Sequence, residues 1–169
     1  MVYGILFFLS LFIGLGVFFD SVWLPTRRKD YERIAKLAQL KQGEIFYDLG
    51  SGTGSLLFYL AKKYKIKGVG IEISPIFYLY SKVKSFFYPN VTIKFGNFFY
   101  FDLKKTEVIY VFLPLKVHPK LKKKIEEKVK EGTKIILAYW PMSEWKPCQI
   151  SKKENSATFY LYKKEKGHL

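Results

Sequence analysis

The segment DLGSGTG, residues 48–54, has the residue types needed to bind a ligand through its backbone. Glycine lets a chain turn tightly and approach a ligand closely, and a helix that begins after such a loop offers unpaired N–H groups. The dinucleotide fingerprint G-x-G-x-x-G would require its third glycine at Ser55, so the spacing of Gly50, Gly52 and Gly54 departs from it. A loop of this kind also occurs as a plain tight turn, so its neighbours decide the interpretation.

Two carboxylates complete the pattern. Asp48 precedes the glycines, and Glu72 follows Gly54 by 18 residues in the segment GIEIS. An acidic residue at the end of the second strand can accept both hydroxyls of a ribose. A carboxylate at position 48 suits an ammonium group better than a pyrophosphate. We therefore expect a ligand that has a ribose and an amino acid end.

The elements that must position these residues alternate between short apolar runs and helical patterns. Thr26 is expected to cap the first helix, and Gly43 is expected to end it. Two β-rich segments near the C-terminus, separated by KKENS, predict a closing hairpin. The predicted strands are 44–49, 67–73, 91–95, 108–113, 134–139, 148–151 and 157–162, and the later helices are 55–65, 75–87 and 119–130.

This order predicts an α/β fold with a Rossmann-like, doubly wound, mostly parallel seven-stranded sheet and a C-terminal β-hairpin. Ligands of such sheets lie beyond the carboxyl ends of the strands, here at the switch between the first and fourth strands. Leu113 and Pro114 follow the fourth strand. We expect their loop to meet the reacting group.

Length and composition exclude several classes of protein. A chain of 169 residues allows one folded domain, and 49% hydrophobic residues is too many for a disordered one. The single cysteine, Cys148, excludes a disulfide framework, and His118 and His168 lack metal-ligand spacing, so we expect no metal site. The 29 basic and 14 acidic residues give a net charge of +15, which favours contact with an anionic membrane surface.

Residues 2–19 contain no charged side chain. As a helix they would extend about 27 Å, close to the roughly 30 Å hydrocarbon thickness of a bilayer. A cleaved signal peptide and a buried core helix are the alternatives, but no basic residue precedes the run and it lacks a polar face. We expect one N-terminal transmembrane helix in an anchor of residues 1–24, followed by a single domain over 25–169.

Arg27, Arg28 and Lys29 follow this apolar run closely, and no basic side chain precedes it. Under the positive-inside rule they place the domain in the cytoplasm. The sequence therefore predicts a single-pass protein of the cell membrane with a cytoplasmic domain.

Residues 25–169 resemble the class I methyltransferases that use S-adenosylmethionine. The resemblance implies that Asp48 orients the ammonium end of the cofactor and that Glu72 holds the ribose. It also implies that the segment Gly96-Asn97-Phe98 reads the adenine, through the side chain of Asn97 and the backbone N–H of Phe98. The residues implied to wrap the methionine moiety are Gly50, Ser51, Gly52 and Gly54.

Within that class, the chain is similar to the small membrane-anchored protein-lysine methyltransferases, which include the mitochondrial enzyme acting on the c ring protein of ATP synthase. The similarity depends on four features besides the cofactor motifs. They are Leu24-Pro25-Thr26 after the apolar run, the aromatic helix in SPIFYLYSKVKSF, Phe112-Leu113-Pro114, and Tyr139-Trp140-Pro141 with Trp145-Lys146-Pro147. The chain departs from the family at Asn97, which replaces an aspartate, and in a short lysine-rich helix region over 120–130.

The expected substrate contacts are Leu113, Pro114 and Trp140. Phe112-Leu113-Pro114-Leu115 stands where nucleic-acid and glutamine methyltransferases commonly place Asn or Asp before Pro-Pro, so the pocket suits an alkyl chain rather than a planar amide. Tyr47 and Tyr139 are candidates for hydrogen bonding the amine, and the sequence names no general base. Trp140 and Trp145 have core packing as their alternative role.

The function predicted from the sequence is transfer of a methyl group from S-adenosylmethionine to a lysine of a membrane or membrane-proximal protein. Two alternatives stay open: an RNA methyltransferase, and a non-catalytic membrane module that binds the cofactor. The charge favours the first alternative, but the absent Asn/Asp-Pro-Pro motif makes a nucleic acid the less expected partner. The lysine run Lys122-Lys123-Lys124 is expected to be a solvated helix face.

Overall fold

The computed structural model describes residues 25–165, whose strands form one sheet. The strands are β1 (Ile45–Leu49), β2 (Lys67–Glu72), β3 (Val91–Phe95), β4 (Val108–Val111), β5 (Lys134–Ala138), β6 (Gln149–Ser151) and β7 (Phe159–Lys163). Their order across the sheet is β3-β2-β1-β4-β5-β7-β6. The first five strands pair in parallel, and β7 runs antiparallel to β5 and β6. The predicted seven-stranded, mostly parallel sheet with a C-terminal hairpin is confirmed.

Helices connect the parallel strands. They are α1 (Tyr31–Ala38), α2 (Ser55–Tyr64), α3 (Pro75–Ser85) and α4 (His118–Lys128), with short 3₁₀ turns at Arg28–Asp30, Phe98–Tyr100 and Leu115–Val117. Within the described residues, the connection from β3 to β4 has one helical element, the turn Phe98–Tyr100. Between β5 and β6 the described chain has no helix at all. One face of the sheet therefore depends on α4 and on irregular segments for its cover.

Two apolar layers cover the sheet. On one face, α1 and α2 pack against inward side chains such as Phe46 and Ile136. On the other face, Leu121 and Ile125 of α4 pack against Ile109. A strand that is covered on both faces has continuous rather than alternating apolar residues, and β4 is buried along its whole length.

Two expectations for the first helix are wrong. Thr26 does not cap it, because the Thr26 hydroxyl lies 2.7 Å from the hydroxyl of the buried Tyr110, and a 3₁₀ turn separates Thr26 from the helix start at Tyr31. The helix ends at Ala38, where Gln39 takes a left-handed conformation with φ 48°, so Gly43 is not its terminator. In both cases the element boundary differs from the one that the local pattern suggested.

The predicted transmembrane helix in the anchor 1–24 lies outside the described residues. Within residues 25–165, no helix is both long enough and apolar enough to cross a bilayer.

A buried ion pair fastens α1 to the C-terminal hairpin. The Arg33 guanidinium donates to Asp30 at 2.7 Å and to the carbonyl of Ser151 at 2.8 Å, and it lies over the Phe159 ring. The hydroxyl of Ser156 donates to Asp30 at 2.5 Å. The Asp30 side chain is only 2% exposed, so its charge depends on these partners.

Removing one partner of such a pair leaves the other charge buried without a counter-charge. We expect Arg33→Met to lower the free energy of unfolding by about 3–5 kcal/mol. Urea unfolding followed by circular dichroism measures the change. Lys36→Met on the exposed side of the same helix is the matched control and should change stability by less than about 0.5 kcal/mol. Equal midpoints for the two variants would contradict the assignment.

Candidate active site

The glycine loop follows β1 and turns the chain into α2. Gly50, Gly52 and Gly54 have φ values of 82°, 52° and 69°, a region that residues with a Cβ rarely adopt. Leu113 packs directly over the loop, because a Cβ placed on Gly50 would lie 3.0 Å from its Cδ2 atom. The loop therefore has both the conformation and the close packing that favour glycine.

Glu72 lies at the carboxyl end of β2 and holds this loop in place. One carboxylate oxygen accepts a hydrogen bond from Gly52 N at 2.7 Å, and the other accepts from Ser74 N at 2.7 Å. Each oxygen of an ionised carboxylate has two acceptor sites, so one remains on each for a further donor. The buried carboxylate is thus oriented by backbone groups and can still bind a pair of hydroxyls.

Ser51 adds an unused polar group beneath the loop. Its hydroxyl is buried and has no hydrogen-bond partner within the described part of the chain. A Cβ on Gly70 would lie 2.7 Å from Ser51 Oγ, so β2 makes room for this side chain because residue 70 is glycine. A buried hydroxyl without a partner costs free energy, which binding of a polar ligand at the loop would recover.

Asp48 lies near the end of β1 and faces a cleft that encloses about 440 Å³, including the part open to solvent. Burial, and secondly the negative charge of Glu72, raise the pKa of the Asp48 carboxyl from 3.8 to about 7. The two neighbouring carboxylates repel each other, and together they favour a cation bound near Asp48. The residues that line the cleft are Pro25, Thr26, Tyr31, Asp48, Gly50, Ser51, Gly52, Thr53, Ser55, Leu56, Tyr110 and Phe112.

The segment after β3 lies beside Glu72, because Gly96 N donates to the Glu72 carbonyl at 2.9 Å. Asn97 uses its side-chain oxygen to accept from Phe99 N at 3.0 Å, which closes the turn that follows. The second lone pair of that oxygen and the amide N–H₂ remain for a ligand. Phe98 packs its ring against that of Phe99, with 4.3 Å between the centroids.

Three aromatic rings stand at the carboxyl ends of β4 and β5, and we refer to Phe112, Tyr139 and Trp140 as the aromatic triad. Phe112 and Tyr139 stack with 5.1 Å between ring centroids and 21° between planes. Trp140 lies 6.5 Å from Phe112 and 5.8 Å from Tyr139. Phe112 lines the cleft of Asp48, and Tyr139 lines an adjoining pocket that shares Phe112 and Tyr110 with that cleft, so the triad stands next to the glycine loop.

The structure brings most of the predicted site residues to this edge, but not Tyr47. Successive residues of a strand point to opposite faces, so Tyr47 points away from the cleft that Asp48 faces. Tyr47 packs in the core beneath α4, and burial raises the pKa of its hydroxyl. Trp145 is also a core residue, since its Nε1 donates to Glu126 at 3.1 Å and its ring packs on Tyr162.

Eight residues that line the cleft are not among the site residues that the sequence predicts, and Thr26, Tyr31, Tyr110 and Phe112 are four of them. Tyr31 and Tyr110 lie in an amphipathic helix and a buried strand, where a tyrosine has the pattern of any core residue. Thr26 has the pattern of a helix cap. Phe112 alone carries a local signal, because it directly precedes the Leu113-Pro114 pair that is expected to contact the substrate.

The lysine run of α4 is not a solvated face throughout. Lys124 donates to the carbonyls of Phe99 and Phe101 at 3.0 and 2.7 Å, which ties α4 to the segment after β3. Lys122 pairs with Glu144 on the loop after β5. These two lysines therefore brace the irregular cover of the sheet. Among the described residues, no cluster of His, Cys, Asp or Glu could hold a metal ion.

The glycine loop, the oriented carboxylate of Glu72 and the order of the sheet define an S-adenosylmethionine-dependent methyltransferase. Residues 48–149 match the family model of the ANTKMT methyltransferase domain. The chain belongs to this family, and its cofactor is S-adenosylmethionine. The cofactor class expected from the sequence is therefore confirmed.

Known proteins are similar over most of the chain. A protein-lysine N-methyltransferase of Saccharolobus islandicus is 32% identical over 83% of this chain and 91% of its own. The Homo sapiens enzyme that methylates a lysine of the ATP synthase c protein is 24% identical over 76% of this chain, which spans about half of that relative's length (56%). A crystal structure of an RNA methyltransferase from Salinibacter ruber with S-adenosyl-L-homocysteine superimposes with a TM-score of 0.78, at 26% identity, over 83% of this chain and 93% of its own.

The raised pKa of Asp48 predicts a pH-dependent affinity. In the free protein the carboxyl is largely protonated below pH 7, and the ammonium of the ligand should ionise it on binding. The affinity for S-adenosylhomocysteine should therefore rise about tenfold between pH 6 and pH 8, with release of a proton. Titration calorimetry in buffers of different ionisation enthalpy measures both quantities.

Two controls isolate the carboxyl. Asp48→Asn should remove the pH dependence, and so should 5′-methylthioadenosine, which lacks the amino acid end. A pH dependence that persists in Asp48→Asn would show that another group titrates.

Proposed function

We propose that this chain transfers a methyl group to a lysine side chain of a membrane or membrane-proximal protein and that residues 1–24 anchor it. The observation that carries the proposal is the aromatic triad, which adjoins the cleft of the glycine loop and Asp48 and contributes Phe112 to its lining. The names of the relatives favour a lysine, since two of them are lysine N-methyltransferases.

The residues at the cleft, and those that follow β2 and β3 beside it, are suited to each part of the cofactor. Glu72 would accept the ribose hydroxyls, Asp48 would pair with the ammonium, and Asn97 with Phe98 N–H would contact the adenine. The wrapping of the methionine moiety falls to Gly50, Ser51, Gly52 and Gly54. Bound there, S-adenosylmethionine supplies an electrophilic methyl group on a sulfonium.

The acceptor lysine must lose its proton before it can react. With an ordinary pKa near 10.4, the neutral amine costs about 4.6 kcal/mol at pH 7. Apolar surroundings made of the aromatic triad, Leu113 and Pro114 would lower this cost, because desolvation disfavours the ammonium. Tyr139 offers a hydroxyl in the triad that can accept a hydrogen bond from the amine. A dedicated general base is then unnecessary.

The triad predicts a separation of methyl transfer from cofactor binding. Trp140→Ala removes one of the rings expected to surround the substrate lysine. It should lower kcat/KM for a lysine substrate about tenfold, which corresponds to about 1.4 kcal/mol. The affinity for S-adenosylhomocysteine should stay within about twofold of the parent protein. Transfer of labelled methyl groups to membrane proteins and calorimetry measure the two effects.

Matched variants test whether the aromatic triad contacts the substrate lysine. Ile150→Ala truncates an exposed apolar side chain on β6 and should leave transfer unchanged. Tyr139→Phe keeps the ring and removes the hydroxyl, so it should lower kcat and leave KM nearly unchanged. Equal losses of transfer and cofactor affinity in Trp140→Ala would contradict a substrate role for this ring.

The proposed anchor of residues 1–24 would hold the catalytic domain close to substrates in the same membrane. An uncharged run over residues 2–19 of the length of a bilayer span, followed by Arg27, Arg28 and Lys29, favours a cytoplasmic catalytic domain at the membrane surface. Tethering raises the effective concentration of substrates in the same membrane to about the millimolar range for short linkers. A freely diffusing cytosolic substrate gains nothing from it.

Deleting residues 1–24 should therefore leave cofactor binding intact and sharply reduce methylation of the native target in membranes. Replacing them with an unrelated single-span segment should restore it. Mass spectrometry of the target in cells measures both. Full methylation by the truncated chain would argue against the tether, and digestion of the domain by protease added to intact cells would reverse the topology.

An RNA substrate is the second candidate, favoured by the similarity to the Salinibacter ruber enzyme and by the net charge. Against it, Lys122 and Lys124 are engaged within the protein, and no polar pair in Phe112-Leu113-Pro114-Leu115 can grip a base. Labelled methyl groups recovered in RNA rather than in protein would favour this alternative. Cofactor binding without any transfer would favour a non-catalytic module.

A further inference from the structure

Helix α3 is amphipathic in the opposite sense to a normal surface helix. Its buried residues are two serines, Ser81 and Ser85, which face the sheet. Their hydroxyls donate to carbonyls of their own helix, those of Phe77 and Lys82, each at 2.7 Å. Tyr78 also packs against the core, but the two fully buried positions of this side hold small polar residues where a core-facing helix normally carries apolar ones.

Six apolar residues of α3 and of the turn that follows it face outward, and we refer to them as the α3 stripe. They follow one another at close helical spacing, so they form one continuous face. Between 43% and 81% of each is exposed. They are Ile76, Leu79, Tyr80, Val83, Phe86 and Phe87. A contiguous exposed apolar face of this kind marks an interaction site in a soluble domain.

The charge around the α3 stripe is positive. From Leu49 to Phe101 the chain has seven lysines and one acidic residue, and that residue is the buried Glu72. Lys82 and Lys84 lie on α3 itself, and the Lys84 ammonium lies 6.0 Å from the centre of the Tyr80 ring. The matching surface must therefore be apolar within and anionic at its boundary.

This requirement separates the possible occupants. A second copy of the chain would bring Lys82 and Lys84 against their own equivalents, and like charges across an interface are unfavourable. The uncharged run of residues 2–19 could match the apolar side chains but offers no negative charge to the lysines. A bilayer with anionic headgroups matches both.

We propose that α3 lies in the plane of an anionic phospholipid membrane, with the α3 stripe immersed at the boundary of the acyl chains. Interfacial helices combine aromatic and aliphatic residues on one face with lysines beside it, as α3 does. Only Ile73 and Ser74 separate α3 from the ribose-binding candidate Glu72, so its docking holds the cofactor edge of the sheet against the membrane surface. This contact goes beyond the proposed anchor and uses a different part of the chain.

Spin labelling of the full-length chain tests the contact. Cys148 is exposed and is the sole cysteine, so Cys148→Ser gives a background in which Val83→Cys carries one nitroxide. Lys123→Cys on α4, across the sheet, is the matched control, since its side chain is 78% exposed. Each protein is placed in vesicles of phosphatidylcholine with and without phosphatidylserine. Relaxation by oxygen and by a water-soluble nickel chelate reports the depth of each label.

We expect the label at position 83 to lie about 5–10 Å below the headgroups when phosphatidylserine is present. The label at position 123 should stay in water in both lipids. Lys82→Gln and Lys84→Gln should each lower the ratio of docked to undocked label about fivefold. This is the effect expected from losing one lysine charge near anionic headgroups. Cofactor affinity should not change, because none of these side chains lines the cleft.

Four results would overturn the proposal. They are a label at position 83 that stays in water in both lipids, a label shielded from both reagents in phosphatidylcholine alone, spin–spin broadening from a second copy, and equal immersion with and without the anionic lipid. Carbonate extraction tests the anchor separately. A chain that washes off the vesicles refutes the anchor alone, whereas an inserted chain with position 83 in water refutes the α3 contact alone.

Discussion

The pair of hydrogen bonds from Gly52 and Ser74 to the carboxylate of Glu72 is the interaction on which the site depends. It joins the loop after β1 to the end of β2 and fixes the orientation of the carboxylate beside that loop. It also places a fixed negative charge beside the buried Asp48, whose pKa is raised to about 7. The cleft therefore has a charge imbalance that a ligand carrying an ammonium and a sulfonium relieves. The repulsion between Asp48 and Glu72 therefore disfavours the empty site and favours a positively charged cofactor.

A second constraint is the thin cover on one face of the sheet. With one helix, α4, and irregular segments there, the positions of the loops after β3 and β5 depend on individual side chains. Lys124 binds two carbonyls of the first loop and Lys122 pairs with Glu144 of the second. Asn97 lies in the first loop and Trp140 in the second. The lysines of α4 therefore help to position both residues without themselves lining the site.

Much of the fold could be predicted from the sequence, because continuous apolar runs bounded by glycine or proline identify buried parallel strands. Asp48 and Glu72 could be predicted because their spacing from the glycines is set by one strand–helix–strand unit. The contact of Thr26 with Tyr110 could not, since it joins residues 84 positions apart. Strand alternation places Tyr47 opposite Asp48, and applying it would have removed Tyr47 from the candidates. The orientation of α3 could not be predicted, because its pattern does not tell which side meets the sheet.

The insertion of β7 between β5 and β6 has a consequence for biosynthesis. The sheet lacks an interior strand until the ribosome has released the residues of β7, which end at Lys163. Asp30 and Arg33 likewise gain their hydrogen bonds with Ser156 and Ser151 only after those residues have been synthesised. Until then a nascent chain carries an unfinished sheet. The domain can close only after β7 has left the ribosome, when α1 can pair with the hairpin of β6 and β7.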